Sequence, residues 1–560
     1  MRDLKILFGI QLLIILLFTG SQSLAQSNQE LLNLRVDSLF SFWNTNYSPG
    51  CALGIIKDGT LIYEKDYGLS NLEYDIPITP KSIFHLASIS KQFTAFSIAL
   101  LAQQGKLSLD DDIRKYLPEI PDFGKKISIK NLIYHTSGLR DQWELLSMAG
   151  WRLDDVITKE QILKMISHQK ELNFNPGDEF LYCNTGYTLL AEIVSRVSGK
   201  PFTQFTKENI FDPLGMKDTH FHNDHEEIVK NRTYSYYQVD STHYKNAVLS
   251  YANAGATSLF STVEDLAKWL NNFDNPVAGN KKIIQQMYEQ GVLNNGTKID
   301  YGFGLAINDY KGLKTIGHGG ADAGYRSYIC RFPDQHLGVI LLSNLDSFNP
   351  SSLANKVADI YLSDKIKPDT VTKKIVRKEI AFDSSKYYKY TGNYQIFPGF
   401  ILNITDEDNK LMVEATGQGK TRLLVESDTE FFVNVVDAQL TFENPTQGRY
   451  SKIILHQNGQ NLTAQRIDLV KINPAELKEY EGNYYSEELG TFYTIAIIDT
   501  ALHVSHRRNP DVNLNFAKKD SFTGDQWWFA KVVFTRDKSN HVSGFLLTGS
   551  RVRNLKFAKM

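Results

Sequence analysis

The segment Tyr390-Thr391-Gly392-Asn393-Tyr394 returns as Tyr480-Glu481-Gly482-Asn483-Tyr484, and no other feature constrains the fold of this chain as much. The echo continues in order. Leu411-Met412-Val413 matches Leu502-His503-Val504, Leu440-Thr441-Phe442 matches Val532-Val533-Phe534, and Ile453-Ile454-Leu455 matches Gly544-Phe545-Leu546, all at nearly constant separation. Chance recurrence of turn residues would not keep the order and spacing of four blocks. A unit of this length is a whole small domain and not one coil of a solenoid. Turn residues at short spacing break up its apolar runs, so two tandem β-barrels or sandwiches are expected, over 386–470 and 471–560. Trp527 and Trp528 are expected in a core.

Upstream the pattern changes. A polar, Lys-rich passage from Ser363 to Ser385 that contains Pro368 reads as a linker, with its limits set at 366–385. The region before it, 26–365, reads as one α+β domain. Apolar positions recur at helical spacing from Asn28 to Trp43, followed by strands Cys51 to Ile56 and Leu61 to Gly68 joined at Lys57-Asp58-Gly59. Helical signals then dominate: Ser88 to Leu101, Gly186 to Val197, Phe202 to Ile210 and Val263 to Leu270, the last opened by the capping-box pattern Ser261-Thr262-Val263-Glu264. Strand signals return at Tyr301 to Ile307, Tyr328 to Phe332 and Leu337 to Leu342. Strands at both ends with helices between them predict a sheet closed by distant segments.

The first 25 residues read as an export signal: Arg2 and Lys5 precede an apolar run from Ile6 to Phe18, and Ser23-Leu24-Ala25 offers a cleavage site. The run is too short to span a bilayer, so a periplasmic or secreted chain with no membrane span after cleavage is expected. Across 560 residues the net charge is only -2, and no basic block stands out, which argues against a nucleic-acid partner. Three cysteines, Cys51, Cys183 and Cys330, do not make a disulfide framework.

Three short motifs carry chemistry. In Ser88-Ile89-Ser90-Lys91, a helix starting at the serine brings the lysine ammonium back over the hydroxyl, which suits a nucleophile and its base. Tyr182-Cys183-Asn184 supplies a phenol able to share the lysine proton and an amide able to bind a substrate carbonyl. In Gly317-His318-Gly319-Gly320 the glycines let a strand approach a ligand closely while His318 donates to it.

With these motifs in this order, and with Tyr134-His135-Thr136-Ser137-Gly138-Leu139 and Pro213-Leu214-Gly215-Met216-Lys217-Asp218-Thr219 beside them, the region from Ser48 to Leu362 resembles the class C β-lactamase and penicillin-binding-protein-like serine hydrolases. The resemblance implies a β-lactamase/transpeptidase-like catalytic domain and an acyl-enzyme on Ser88. Lys91 and Tyr182 become the acid/base pair, with His318 completing the catalytic set, and Asn184, Gly319 and Gly320 become substrate contacts. The resemblance also implies an oxyanion hole from the backbone N–H groups of Ser88 and Ala321, with no cofactor or metal. Where β-lactam-binding members carry Lys-Thr-Gly, this chain has His318-Gly319-Gly320, so weaker hold on a substrate carboxylate is expected. The histidine version is similar to that of D-stereospecific aminopeptidases and some esterases, and the trailing domains resemble paired lipocalin-like domains. The expected substrate is a short peptide, amide or ester, including ones with a D-residue at the cleaved bond. Alternatives are a true β-lactamase, a D-Ala-D-Ala carboxypeptidase, or a non-catalytic cell-envelope binding protein. His220-Phe221-His222-Asn223-Asp224-His225 also fits a zinc pattern but lacks the strand-then-loop context of a metal fold, so it reads as a surface loop. Cys183, His85 and His135 read as packing residues.

Overall fold

The structure is a computed structural model that describes residues 29–240, 242–366, 377–397, 400–416, 419–434, 438–457, 460–467 and 473–560. The expected leader and Pro368 lie outside them. Helix α1 (29–40) leads into strands β1 (Cys51–Lys57) and β2 (Thr60–Tyr67), turned by Asp58 and Gly59 at φ 50° and 78°. That left-handed pair is what a two-residue hairpin needs. Strands β3 (Ala306–Tyr310), β4 (Leu313–Asp322), β5 (Tyr325–Phe332) and β6 (Leu337–Ser343) complete a six-stranded antiparallel sheet in the order β3-β4-β5-β6-β1-β2. Leu53 stands opposite Leu341 on one side and Lys65 on the other, so the first hairpin pairs with a strand nearly three hundred residues away.

Between the two halves of the sheet run α2 (Ser90–Gln103), α3 (Gln142–Met148), α4 (Asn184–Ser198) and α5 (Val263–Asn272), and after it comes α6 (Pro350–Tyr361). Alternation along β1 sends Ala52 and Ile56 into the core shared with α2, α4 and α5, and sends Cys51, Leu53 and Ile55 into a second core with α1 and α6. Both faces of the sheet are therefore covered. Helix α2 is buried at every position from Ser90 to Leu101, as befits a helix with no polar face.

Several local expectations shift. Ser88 lies in a 3₁₀ turn, Ala87–Ile89, just ahead of α2 and not inside it. The cap of α5 is Thr262, whose hydroxyl accepts from the Asp265 N–H, while Ser261 Oγ pairs with Thr219, so the capping box expected one residue earlier does not form. The helix from Phe202 stops at Thr206 and continues as a π turn to Phe211. The expected strand Tyr301 to Ile307 begins only at Ala306, because Tyr301 is drawn inward by a hydrogen bond to His318.

Both repeats are all-β. The first is a nine-stranded sheet whose two end strands, Thr421–Arg422 and Leu424–Val425, flank a single residue, leaving it nearly closed; the second, Gly482–Ser486 to Leu555–Lys559, is a closed eight-stranded barrel. The echo in sequence is an echo in structure. The Tyr394 hydroxyl donates to the Tyr390 carbonyl, the Tyr484 hydroxyl donates to the Tyr480 carbonyl, and Gly392 and Gly482 share φ values of 149° and 143°. Trp528 is buried in the second barrel as expected, but Trp527 is half exposed.

Candidate active site

The sequence just before α2 makes the turn that presents Ser88. Ala87 takes a positive φ of 49°, uncommon for a residue with a Cβ, and Ser90 Oγ ties the turn by donating to the Ala87 carbonyl at 2.6 Å. One helical turn on, Lys91 is fully buried, with Nζ 2.9 Å from Ser88 Oγ, 2.9 Å from Asn184 Oδ1 and 2.7 Å from the Ala256 carbonyl. Burial pulls the Lys91 pKa down to about 7, with the Arg551 guanidinium adding to that and Asp322 and Asp141 opposing it.

Asn184 starts α4. Its backbone N–H and its Nδ2 both donate to Asp141 Oδ2, at 2.7 and 2.9 Å, so the amide is held rigid with its oxygen toward Lys91. Tyr182 presents its ring to Lys91 Nζ, 4.9 Å from the centroid, and rests on His135 with the rings 4.2 Å apart. Burial raises the Tyr182 pKa, and the nearby Ser88 hydroxyl only partly opposes that; the phenol oxygen has no hydrogen-bond partner of good geometry. The phenol is therefore protonated at neutral pH.

Strand β4 brings the third motif against this turn. A side chain on Gly320 would place its Cβ 2.1 Å from the Leu86 carbonyl, so only glycine lets β4 pass so close to the nucleophile turn, whereas Gly319 meets nothing nearer than Tyr328 at 3.6 Å and leaves the cleft open. His318 differs from expectation. Nδ1 lies 2.6 Å from the Gly319 carbonyl, which can only accept, so that nitrogen carries the proton and Nε2 accepts from the Tyr301 hydroxyl at 3.0 Å. Burial and the neighbouring Lys91 lower the His318 pKa to about 4. The ring is neutral and neither nitrogen is left for a ligand. Ser88, Tyr182, Asn184, His318, Gly319, Gly320 and Ala321 all line one cleft of about 540 Å³.

A match to the family model described as "Beta-lactamase" spans residues 40–361, more than half of the chain. The chain belongs to the beta-lactamase family. It is accordingly a serine hydrolase. Residues 376–467 match a second model, a domain of unknown function (DUF3471), which is the first repeat. The chain is 29% identical over 422 residues to penicillin-binding protein 4* of Bacillus subtilis, covering 73% of this chain and 93% of that protein. It is 24% identical over 539 residues to a D-aminopeptidase of Brucella anthropi, covering 91% and 95%. Among solved structures, an octameric penicillin-binding protein homologue from Pyrococcus abyssi aligns with a TM-score of 0.54 at 24% identity, covering 86% of this chain and 98% of that one. That likeness establishes the shared fold.

Other residues reach this beta-lactamase-family cleft without any motif to announce them. Asp141, at the cap of α3, orients Asn184; Tyr301 fixes the His318 tautomer; and Asp322 accepts from His85 at 3.0 Å and from the Thr257 hydroxyl. His135 accepts the Cys183 N–H at 3.0 Å, which makes it a support for Tyr182. Cys183 is buried beside the site, and burial lifts its thiol pKa to about 12, so it is no nucleophile. His318-Gly319-Gly320 does lack a lysine, yet the cleft is not short of fixed positive charge. Arg326 and Arg551 both line it, and Arg551 comes from the second barrel. In the His220 to His225 segment, His220 and His222 stand with rings 6.1 Å apart beside Phe260, and among the described residues no group of three or more His, Cys, Asp or Glu side chains is arranged to hold a metal ion.

Proposed function

We propose that this chain is an exported hydrolase that cleaves short peptides, amides or esters, including those with a D-residue at the cleaved bond, through an acyl-enzyme on Ser88. The observation that carries this is the buried Lys91 amine 2.9 Å from Ser88 Oγ with its pKa near 7. A neutral amine has two N–H bonds and one lone pair. Asn184 Oδ1 and the Ala256 carbonyl take the two N–H bonds, so the lone pair faces the serine hydroxyl. Lys91 is then the base: it accepts the Ser88 proton as Oγ bonds to the substrate carbonyl carbon. The oxyanion is received by the N–H groups of Ser88 and Ala321, a contribution of about 3 kcal/mol per donor. The bond to the leaving group breaks as Tyr182, protonated in the free enzyme, relays the proton to the departing nitrogen or oxygen. Water repeats the sequence, releases the acid and restores Ser88.

The relatives named D-aminopeptidase support the D-residue reading, and the expected leader over residues 1–25 supports export. Among the described residues no helix is long and apolar enough to cross a membrane. The test is hydrolysis of a panel of D- and L-aminoacyl anilides and short esters. Ser88→Ala and Lys91→Arg are each expected to lower kcat/KM by at least about 10³-fold, Lys91→Arg because a guanidinium does not give up its proton. Equal turnover by Ser88→Ala and the parent would refute the proposal.

A further inference from the structure

The loop that follows the strand Val542–Thr548 of the second barrel enters the catalytic cleft, and its backbone is clamped there. The buried Glu144 carboxylate accepts the N–H groups of Ser550 and Arg551, and Asn173 donates to the Arg551 carbonyl at 2.8 Å. The Arg551 guanidinium is thereby set 5.1 Å above the Tyr182 ring.

The other charges in the cleft each hold protein partners, Arg326 through Nη1 alone. Asp322 is occupied by His85 and Thr257, Arg326 gives Nη1 to the carbonyls of Ala323 and Tyr325, and Lys91 is tied to Asn184 and Ala256. Among the described residues the Arg551 side chain donates no hydrogen bond. Its one ionic neighbour, Asp141 Oδ2, is 3.9 Å away and already accepts twice from Asn184. A planar fork carried on a clamped backbone, with its donors open and in the same cleft as the nucleophile, matches the two oxygens of a carboxylate.

We propose that Arg551 binds a carboxylate of the substrate close to the scissile bond, so that the enzyme favours anionic substrates and disfavours those whose only charge is a free amino group. This rests on the hydrolase reading above and narrows it. The closeness of Arg326 to the same space adds to the repulsion of an ammonium group. The second barrel is then part of the substrate site, and the positive charge absent from His318-Gly319-Gly320 is supplied from another domain.

The experiment compares mono-p-nitrophenyl glutarate, p-nitrophenyl butyrate and D-alanine p-nitroanilide with the full chain and with Arg551→Gln and Arg551→Lys. The side chain is 40% exposed and the docking contacts of this residue are made by its backbone, so both variants should fold, which thermal unfolding checks. Arg551→Gln is expected to lower the glutarate-to-butyrate ratio of kcat/KM by about 10- to 100-fold, mainly through KM, and to raise the anilide relative to butyrate. Arg551→Lys should recover part of the glutarate ratio, since it keeps the charge and loses the fork. The same factor of change on all three substrates would overturn the proposal. If the parent turns over none of them, the hydrolase reading fails, and binding of N-acetyl-D-alanine measured by calorimetry decides the carboxylate site alone. Weaker binding to Arg551→Gln than to the parent supports that site, and equal binding overturns it.

Discussion

The two β-domains are copies of one another down to the tyrosine hydrogen bonds at their entry, yet they relate to the catalytic domain in opposite ways. Among the described residues, the hydrogen bonds and ion pairs of the first run within it or to residues 377–383 just ahead of it. The second is joined throughout. Leu145 and Met148 of α3 lie in the same hydrophobic core as Tyr493, Phe529 and Phe557 of the barrel; Tyr493 donates to the Met148 carbonyl at 2.8 Å; and Arg140 pairs with Glu488 at 2.7 Å with both side chains almost fully buried. Glu488 also accepts the Lys170 N–H, and Arg553 forms a two-pronged pair with Glu179 at 3.0 Å. The repeat therefore specifies a fold, while the loops of each copy specify what it does. One copy has loops that complete an active site.

The largest expected contrast comes from the buried ion pair. Glu488→Ala leaves Arg140 charged and buried without its partner, a loss of about 3–5 kcal/mol, with hydrolysis falling as the barrel loop leaves the cleft. In the first domain, Glu379→Ala removes an exposed pair with Arg422 and should change stability by about 0.5 kcal/mol or less. Denaturant unfolding of both variants measures the difference, and equal losses would break the comparison. A smaller effect is expected at glycines. A Cβ on Gly549 would stand 2.1 Å from Glu144 Oε1, so Gly549→Ala should cost about 1–3 kcal/mol and reduce turnover, whereas Gly419 in the first domain has nothing within 4 Å and tolerates alanine.

The smallest effect is one of pH. Burial raises the Glu144 pKa to about 7, with the Arg551 and Ser550 N–H groups opposing the rise. A folded-state pKa above the unfolded value means that the folded form holds the proton more tightly. The contribution of Glu144 to stability is therefore present at low pH and is lost as pH rises through about 7. Between pH 6 and 7 the parent should lose about 1 kcal/mol relative to Glu144→Gln, which cannot titrate. Thermal unfolding of the two proteins across that range checks the sign; a gap that does not change with pH would show that the Glu144 contact carries no proton linkage.

Legibility in the sequence followed the range over which each feature is encoded. Ser88 and Lys91 are one helical turn apart, Tyr182 and Asn184 bracket a helix start, and Gly319-Gly320 marks a close approach, so each announces itself within a few residues. The β repeat is legible for the same reason, since its tyrosines and glycines set local geometry. Arg551, Glu144, Asp141 and Tyr301 are not. They act across 17 to 407 residues of chain through packing that no periodicity records, and a motif search sees Arg551 only as one of two arginines around Val552. The free His318 donor expected from the sequence is lost for a related reason: Tyr301, read as part of a strand, turns in to occupy Nε2. The charge missing from one motif was likewise expected to be missing from the cleft, because the arginine that supplies it belongs to the other end of the chain.

The most direct test of the proposed chemistry is the rate at which a fluorophosphonate labels the protein, followed by mass spectrometry across pH 5 to 9. One adduct on Ser88, forming faster as pH passes about 7 and nearly abolished by Lys91→Arg, is the expected result, since the neutral Lys91 amine activates the hydroxyl. Labelling at another residue, or a Ser88 rate that ignores both pH and Lys91, would contradict it.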